Sequence, residues 1–241
     1  MKKHGYIWLL LVVVLTNCGK DPVESGLPRD DQSISLSADL EKFLIEAKID
    51  DNTIADGQIR YAMIKDIDSL NIEMFGSKLS LKGLEYFTNL KYLKFTGNQE
   101  RLDVTTGYYY TSMSGINKDY VAPLDTLDVS QNEKLQYLEC SGRSDGGGYI
   151  SAIKYLKLGK NKQLKTLIAQ FTMFEDIDLS SAVNLVTLDL SGCYNLPILK
   201  ICSNPLLWIL KSPQVKQLYI SPKLVVRPSW QTGSGTVLEC K

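Results

Sequence analysis

One phrase of eleven residues recurs along this chain, with leucine or a close substitute at the first, fourth and sixth places and often asparagine at the ninth. Registers starting at Leu90, Leu135, Leu164, Leu185 and Leu207 all carry leucine first, and Leu93, Leu138, Leu167, Leu188 and Leu210 stand fourth. A second series starts at Leu124, Ile153, Phe174, Leu196 and Val215. Its fourth places hold Leu127, Leu156, Ile177, Leu199 and Leu218, and its sixth places Val129, Leu158, Leu179, Ile201 and Ile220. The two series alternate. A short strand with apolar fourth and sixth places buries them on one side and turns its third, fifth and seventh places outward. One unit cannot hide that row alone, but stacked units bury it continuously. The phrase therefore predicts a mainly β solenoid, α/β-poor, with two flanks per coil. The ninth-place Asn98, Asn132, Asn161 and Asn204 are expected to hydrogen-bond the turn backbones, as parts of the scaffold.

The strings LSLKGLEYFTNLKYLKFTGN, LDTLDVSQNEKLQYLECSG, IKYLKLGKNKQLKTLIAQ and LVTLDLSGCYNL resemble the leucine-rich repeats of secreted and surface lipoproteins of the Bacteroides group. In that family LDVS-type and LxC-type half-repeats alternate at about twenty-one residues per pair, and cysteine often replaces the ninth-place asparagine, as Cys193 does here. The likeness spans roughly residues 36 to 222. It implies a leucine-rich repeat array at the cell surface with a protein-binding role, and it names no partner.

The first residues, MKKHGYIWLLLVVVLTNC, have a basic start and an apolar run from Tyr6 to Leu15, too short to span a bilayer stably and of the kind found in export signals. Cys18 stands where bacterial lipoproteins are cleaved and acylated, in a setting that resembles their lipobox, although Asn17 departs from the small residue usual there. The expected organisation is a signal peptide over 1–17, lipid attachment at Cys18 and a polar tether over 18–35. A helical N-terminal cap over 36–78, repeats over 79–222 and a C-terminal cap over 223–241 follow. The expected location is the outer membrane, reached through the lipid anchor alone.

Within the cap, Leu40, Phe43, Leu44 and Ala47 fall at helical spacing with Ser37 placed to cap the start, and a second short helix is expected from Ile59 to Ile67. The intervening Asp56, Gly57 and Ile59 match the fifth, sixth and eighth places of a calcium loop. Asn52, Ile54 and Met63 occupy its first, third and twelfth, where ligands are required, so no metal is expected. At the other end, Trp230 and Val237 are expected to pack over the last coil. Cys140 and Cys193 read as structural, and Cys193 with Cys202 is the first pairing to consider for a disulfide.

The chain carries 27 basic and 27 acidic side chains. Loss of 1–17 would remove Lys2 and Lys3, leaving 25 against 27, with no basic field for nucleic acid. It would also remove His4, the only histidine, and with it any Ser/His or Cys/His nucleophile pair and any imidazole ligand. Carboxylate catalysis by Asp128, Asp178 or Asp189 stays open in principle, yet these sit at fifth places, where solubility and cross-strand pairing account for them. The expectation is a recognition protein without catalysis or cofactor.

Two insertions break the rhythm. TTGYYYTSMSGINKDYVAP lies between Val104 and Leu124, and GRSDGGGYIS lengthens the coil from Leu135 to Leu164, so the two should be neighbours. The Leu-first flank is expected to expose Tyr92, Tyr137, Ile168 and Trp208. With Tyr108, Tyr109, Tyr110 and Tyr120 of the first insertion, its rings form the candidate partner-binding surface, since Tyr and Trp bring large contact area at small entropic cost. The partner is expected to be a protein; a glycan stacked on the Tyr and Trp rings is the alternative.

Overall fold

A computed structural model describes residues 26–74, 79–97, 99–102, 109–110, 124–142, 149–224, 230–233 and 235–240. In chain order it contains β1 (Ser33–Ser35), α1 (Ala38–Glu46), β2 (Gln58–Arg60), α2 (Tyr61–Ile64), β3 (Ser69–Met74), β4 (Tyr92–Gly97), β5 (Gln99–Leu102) and β6 (Tyr109–Tyr110). Then come β7 (Thr126–Asp128), β8 (Tyr137–Glu139), β9 (Tyr149–Ser151), β10 (Tyr155–Lys157), β11 (Thr166–Ile168) and β12 (Thr187–Asp189). The last four are β13 (Ile198–Ile201), β14 (Ile209–Lys211), β15 (Gln217–Ile220) and β16 (Thr236–Glu239). Strands in parallel sheets dominate and helices are few, as a β-rich repeat array requires. No described helix is long and apolar enough to cross a membrane.

The Leu-first series forms one six-stranded parallel sheet in the order β14-β12-β11-β8-β4-β3. Its register sets leucine beside leucine: Leu70, Leu93, Leu138, Leu167, Leu188 and Leu210 make a single file of fourth places, all buried. Each contributes about 1.5–3 kcal/mol by leaving water. The second series makes the other flank, as a β7–β10 pair and a β13-β15-β16 sheet. Between them residues 174–180 form no strand, yet Phe174, Ile177 and Leu179 still point inward.

The ninth-place asparagines hold coil to coil. Asn132 donates to the carbonyls of Leu84 and Phe87, Asn161 to that of Val129, and Asn204 to those of Leu179 and Ala182, all in the buried interior. Asn98 lies outside the described residues. A second recurring device explains the LDxS phrase: the carboxylates of Asp128, Asp178 and Asp189 each accept the backbone N–H two residues on, from Ser130, Ser180 and Ser191, closing the turn that ends the strand. Where glycine replaces that serine, Gly159 takes φ +59°, and a Cβ there would lie 2.7 Å from the Ser130 backbone of the coil below.

Several expectations need correction. The segment 36–78 is not all cap: Ile67, Leu70 and Ile72 read the repeat phrase, and β3 is the first rung of the six-stranded sheet. The cap proper is α1, capped by Ser37 as expected, with the antiparallel β1–β2 pair that flanks it in sequence and α2; Ile59 belongs to β2, so the second helix is shorter than Ile59–Ile67. At the other end the ladder continues past 222 through Gln231, bridged to Lys211, and through β16. Trp230 is buried there, but Val237 is 55% exposed because no described residue covers the far side of its strand. Finally, Cys202 pairs with Cys240, with Cα atoms 5.8 Å apart, not with Cys193.

Cys193 is committed inward instead. Its thiol donates to the carbonyl of Ala169 at 3.0 Å and contacts Thr172 Oγ1, itself at a ninth place, at 3.0 Å, so the sulfur stands in for the missing asparagine amide. Burial pushes its pKa up to about 11, against the lowering effect of the Thr172 bond, and pushes that of buried Cys140 up as well. In the cap, Glu41 is buried and its two carboxylate oxygens accept the N–H groups of Asp56 and Gly57. That is the physical role of the loop with calcium-like spacing: it is closed by a side chain of the helix before it.

Candidate interaction surface

The outward face of the six-stranded sheet is written by the third and fifth places of each rung. Near its β3 end, Tyr92 and Tyr137 lie in register and their rings stack, with centroids 4.4 Å apart and planes 10° apart. The Tyr137 hydroxyl donates to Glu139 at 2.7 Å, and Lys94 pairs with the same carboxylate at 3.0 Å. Burial and the neighbouring Glu139 push the Tyr137 phenol up, and the bond to Glu139 raises Lys94. Both rings are half-buried, where exposed rings were expected, because each covers a face of the other. The network is closed on itself.

Toward β14 the same sheet changes character. Asp189 was expected to be exposed at its fifth place; it is only 4% exposed, enclosed by Ser191 Oγ at 2.7 Å, Gln170 Nε2 at 2.7 Å and Lys211 Nζ at 3.1 Å. Desolvation would raise its pKa, but the bonds from Ser191, Gln170 and Lys211 outweigh it and hold the carboxyl below the usual range. Asp128 faces Lys157 on the next rung at 3.7 Å. Three acids that could have suggested catalysis are thus tied into turns and rung-to-rung pairs.

Beside the sheet runs a column that the outward-face reading overlooks. Second places enter neighbouring rungs through backbone bonds: Lys91 N–H donates to Asp68, Gln136 to Lys91, Lys165 to Gln136, Val186 to Lys165 and Trp208 to Val186, each at 2.8 or 2.9 Å. The column therefore reads Asp68, Lys91, Gln136, Lys165, Val186, Trp208, polar at one end and apolar at the other. The turn residues leading into it change likewise: Glu133 and Lys134, then Lys162 and Gln163, then Val183 and Asn184, then Pro205 and Leu206. At the apolar end Leu206 and Trp208 are each 53% exposed and Ile209 is 36% exposed. Trp230 backs this end, donating its indole N–H to the Trp208 carbonyl at 3.2 Å. Leu206, Ile209 and Val186 were not expected as site residues; comparing second, third and eleventh places across the repeats would have found them.

The candidate rings are therefore not one ridge. Tyr137 on β8 and Trp208 beside β14 are separated by three rungs, about 14 Å at the usual strand spacing. Cys18, Tyr108 and Tyr120 lie outside the described residues, and Tyr109 and Tyr110 are placed by backbone only, in β6. The two insertions share one small sheet without pairing directly: β5, which precedes both, pairs antiparallel with β6 on one side and with β9 on the other. On the opposite flank a half-open groove of about 420 Å³ is lined by residues of 80–85 and 124–131, with Lys82, Glu85 and Asp128 among them.

No protein-family model matches the chain, and no curated protein matches it. Among solved structures, the functional domain of InlJ from Listeria monocytogenes, which includes a cysteine ladder, is similar at 15% identity, covering 87% of this chain and 72% of that one, with a TM-score of 0.26. A likeness of that size adds no weight to what the leucine file and asparagine ladder already carry.

Proposed function

We propose that this chain is a non-catalytic recognition protein of a bacterial cell envelope, held to the outer membrane through a lipid on Cys18, which binds a protein partner along one edge of its repeat array. The observation that carries the recognition surface is the cluster of Leu206, Trp208 and Ile209, exposed together on consecutive and adjoining positions where the other rungs, Val186 apart, place polar residues or tyrosine. Exposed apolar clusters rimmed by polar residues mark association sites, and tryptophan is favoured at their centres. The anchoring rests on the basic start, the apolar run and Cys18, and on the resemblance to surface lipoproteins.

A glycan-binding reading is weaker. A sugar platform needs an open ring face, and Tyr92 and Tyr137 each cover a face of the other. The recognition reading is tested by capture from envelope fractions with the full chain and two double variants. Leu206→Ser with Trp208→Ser should abolish recovery, whereas Tyr92→Ala with Tyr137→Ala should retain it. Equal recovery by all three would move the site, with deletion of 106–121 as the next variant. Labelling with a palmitate analogue should mark the intact chain and fail for Cys18→Ala.

A further inference from the structure

The recognition reading leaves the chemistry of the partner unstated, and the turn residues beside the apolar cluster supply it. Lys160, Lys162 and Lys165 all belong to one turn and the rung it enters, and all three are exposed. In the array Lys91 pairs with Asp68, Lys94 with Glu139, Lys154 with Glu175, Lys157 with Asp128 and Lys211 with Asp189, whereas exposed Lys200, Lys216 and Lys223 stand, like these three, in no ion pair with a described residue, but singly along the sequence. Among the described residues no carboxylate lies within ion-pair distance of Lys160, Lys162 or Lys165. Backbone and amide bonds fix Lys162 and Lys165 next to the apolar end: Val186 N–H donates to the Lys165 carbonyl at 2.8 Å, and the Asn184 side chain to the Lys162 carbonyl at 2.9 Å. One rung further stand Leu206 and Trp208. The edge thus presents three unneutralised positive charges, then Val183 and Val186, then Leu206, Trp208 and Ile209, at one rung per step.

We infer that the occupant of this edge is an extended protein segment in which acidic residues are followed by large apolar ones, its carboxylates over Lys160, Lys162 and Lys165 and its apolar side chains over Leu206 and Trp208. Like-charged lysines held on adjacent positions repel one another, and an incoming acidic stretch relieves that repulsion while it steers the apolar part onto its patch. A segment of the opposite order, or a basic one, meets the lysines unfavourably. This inference rests on the recognition reading and narrows it.

The test is selection of binders from a random peptide library displayed against the full chain, repeated with Lys162→Glu/Lys165→Glu and with Leu206→Ser/Trp208→Ser. Expected are enriched peptides carrying Asp or Glu beside Leu, Ile, Phe or Trp. Affinity for them should fall roughly two- to fivefold for each lysine reversed at low salt, an effect that fades at high salt, and tenfold or more for the tryptophan variant. Enrichment of apolar peptides without acidic bias, lost only in Leu206→Ser/Trp208→Ser, would overturn the charge inference and leave the recognition surface standing. Enrichment unaffected by either variant would overturn both. Absence of peptide enrichment together with binding to phosphatidylserine vesicles, lost on lysine reversal, would overturn the protein segment in favour of a lipid surface.

Discussion

Two regions of one sheet, the β4–β8 rungs and the β12–β14 rungs, are built on the same leucine file and yet present opposite surfaces. At the first, Tyr92, Tyr137, Lys94 and Glu139 satisfy one another through a ring stack, a hydrogen bond and an ion pair. At the second, Asp189 and Lys211 are satisfied within the sheet, while its edge leaves Leu206, Trp208 and Ile209 to solvent. The difference teaches that an aromatic residue on an outward strand position is not by itself a binding residue. What matters is how much of its surface the adjoining rungs leave to solvent.

The comparison depends on both regions sharing one ladder, and the largest test addresses that. Leu167→Ala, in the rung between them, should cost about 2–5 kcal/mol, seen as a single lowered melting transition; two separate transitions would mean that the regions are not one cooperative array. Gly159→Ala, with φ +59° and the Ser130 backbone 2.7 Å from the new Cβ, should cost about 1–3 kcal/mol without affecting partner capture. Tyr92→Ala should lower stability by about 0.5–1.5 kcal/mol through the lost stack and leave capture intact. Loss of capture there would erase the distinction between the regions.

The pH dependence sharpens the other side. Because the folded Asp189 carboxyl is held below its ordinary value, its contribution is present above about pH 4 and is lost as the pH falls through its folded pKa. The melting temperature of Asp189→Asn should therefore vary less than that of the parent between pH 5 and pH 2, on the order of the usual carboxylate range. An identical profile would mean that the enclosure by Ser191, Gln170 and Lys211 has no energetic consequence. Smallest in stability is Trp208→Ser, which should stay within about 0.5 kcal/mol by melting and yet lose capture.

Much of this was legible in the chain because the repeat fixes which places point inward. Leu167, Leu188 and Asn132 occupy positions whose environment recurs in every coil, so a pattern along the sequence reports a pattern in space. The first rung was missed although Ile67, Leu70 and Ile72 spell the same phrase, since the cap residues around it carry helical spacing and the pairing of β3 with β4 is a property of two segments, not of one. The Cys202–Cys240 bond was missed for a related reason: the last coil has lost the leucine phrase, so nothing in its sequence announces that β16 continues the ladder beside β15. The tyrosine stack and the burial of Asp189 likewise depend on which residue stands on the adjoining rung.

That disulfide gives the array a direction of disassembly. In a stack of coils held by nearest neighbours, the terminal unit opens first, and β16, with Thr236, Val237 and Glu239 exposed, has little burial of its own to resist it. Tying Cys240 to Cys202 makes the final strand unable to leave without carrying the β13 turn along. A pulling force on this end therefore meets one closed loop from Cys202 to Cys240, and the Leu206, Trp208 and Ile209 edge lies inside it.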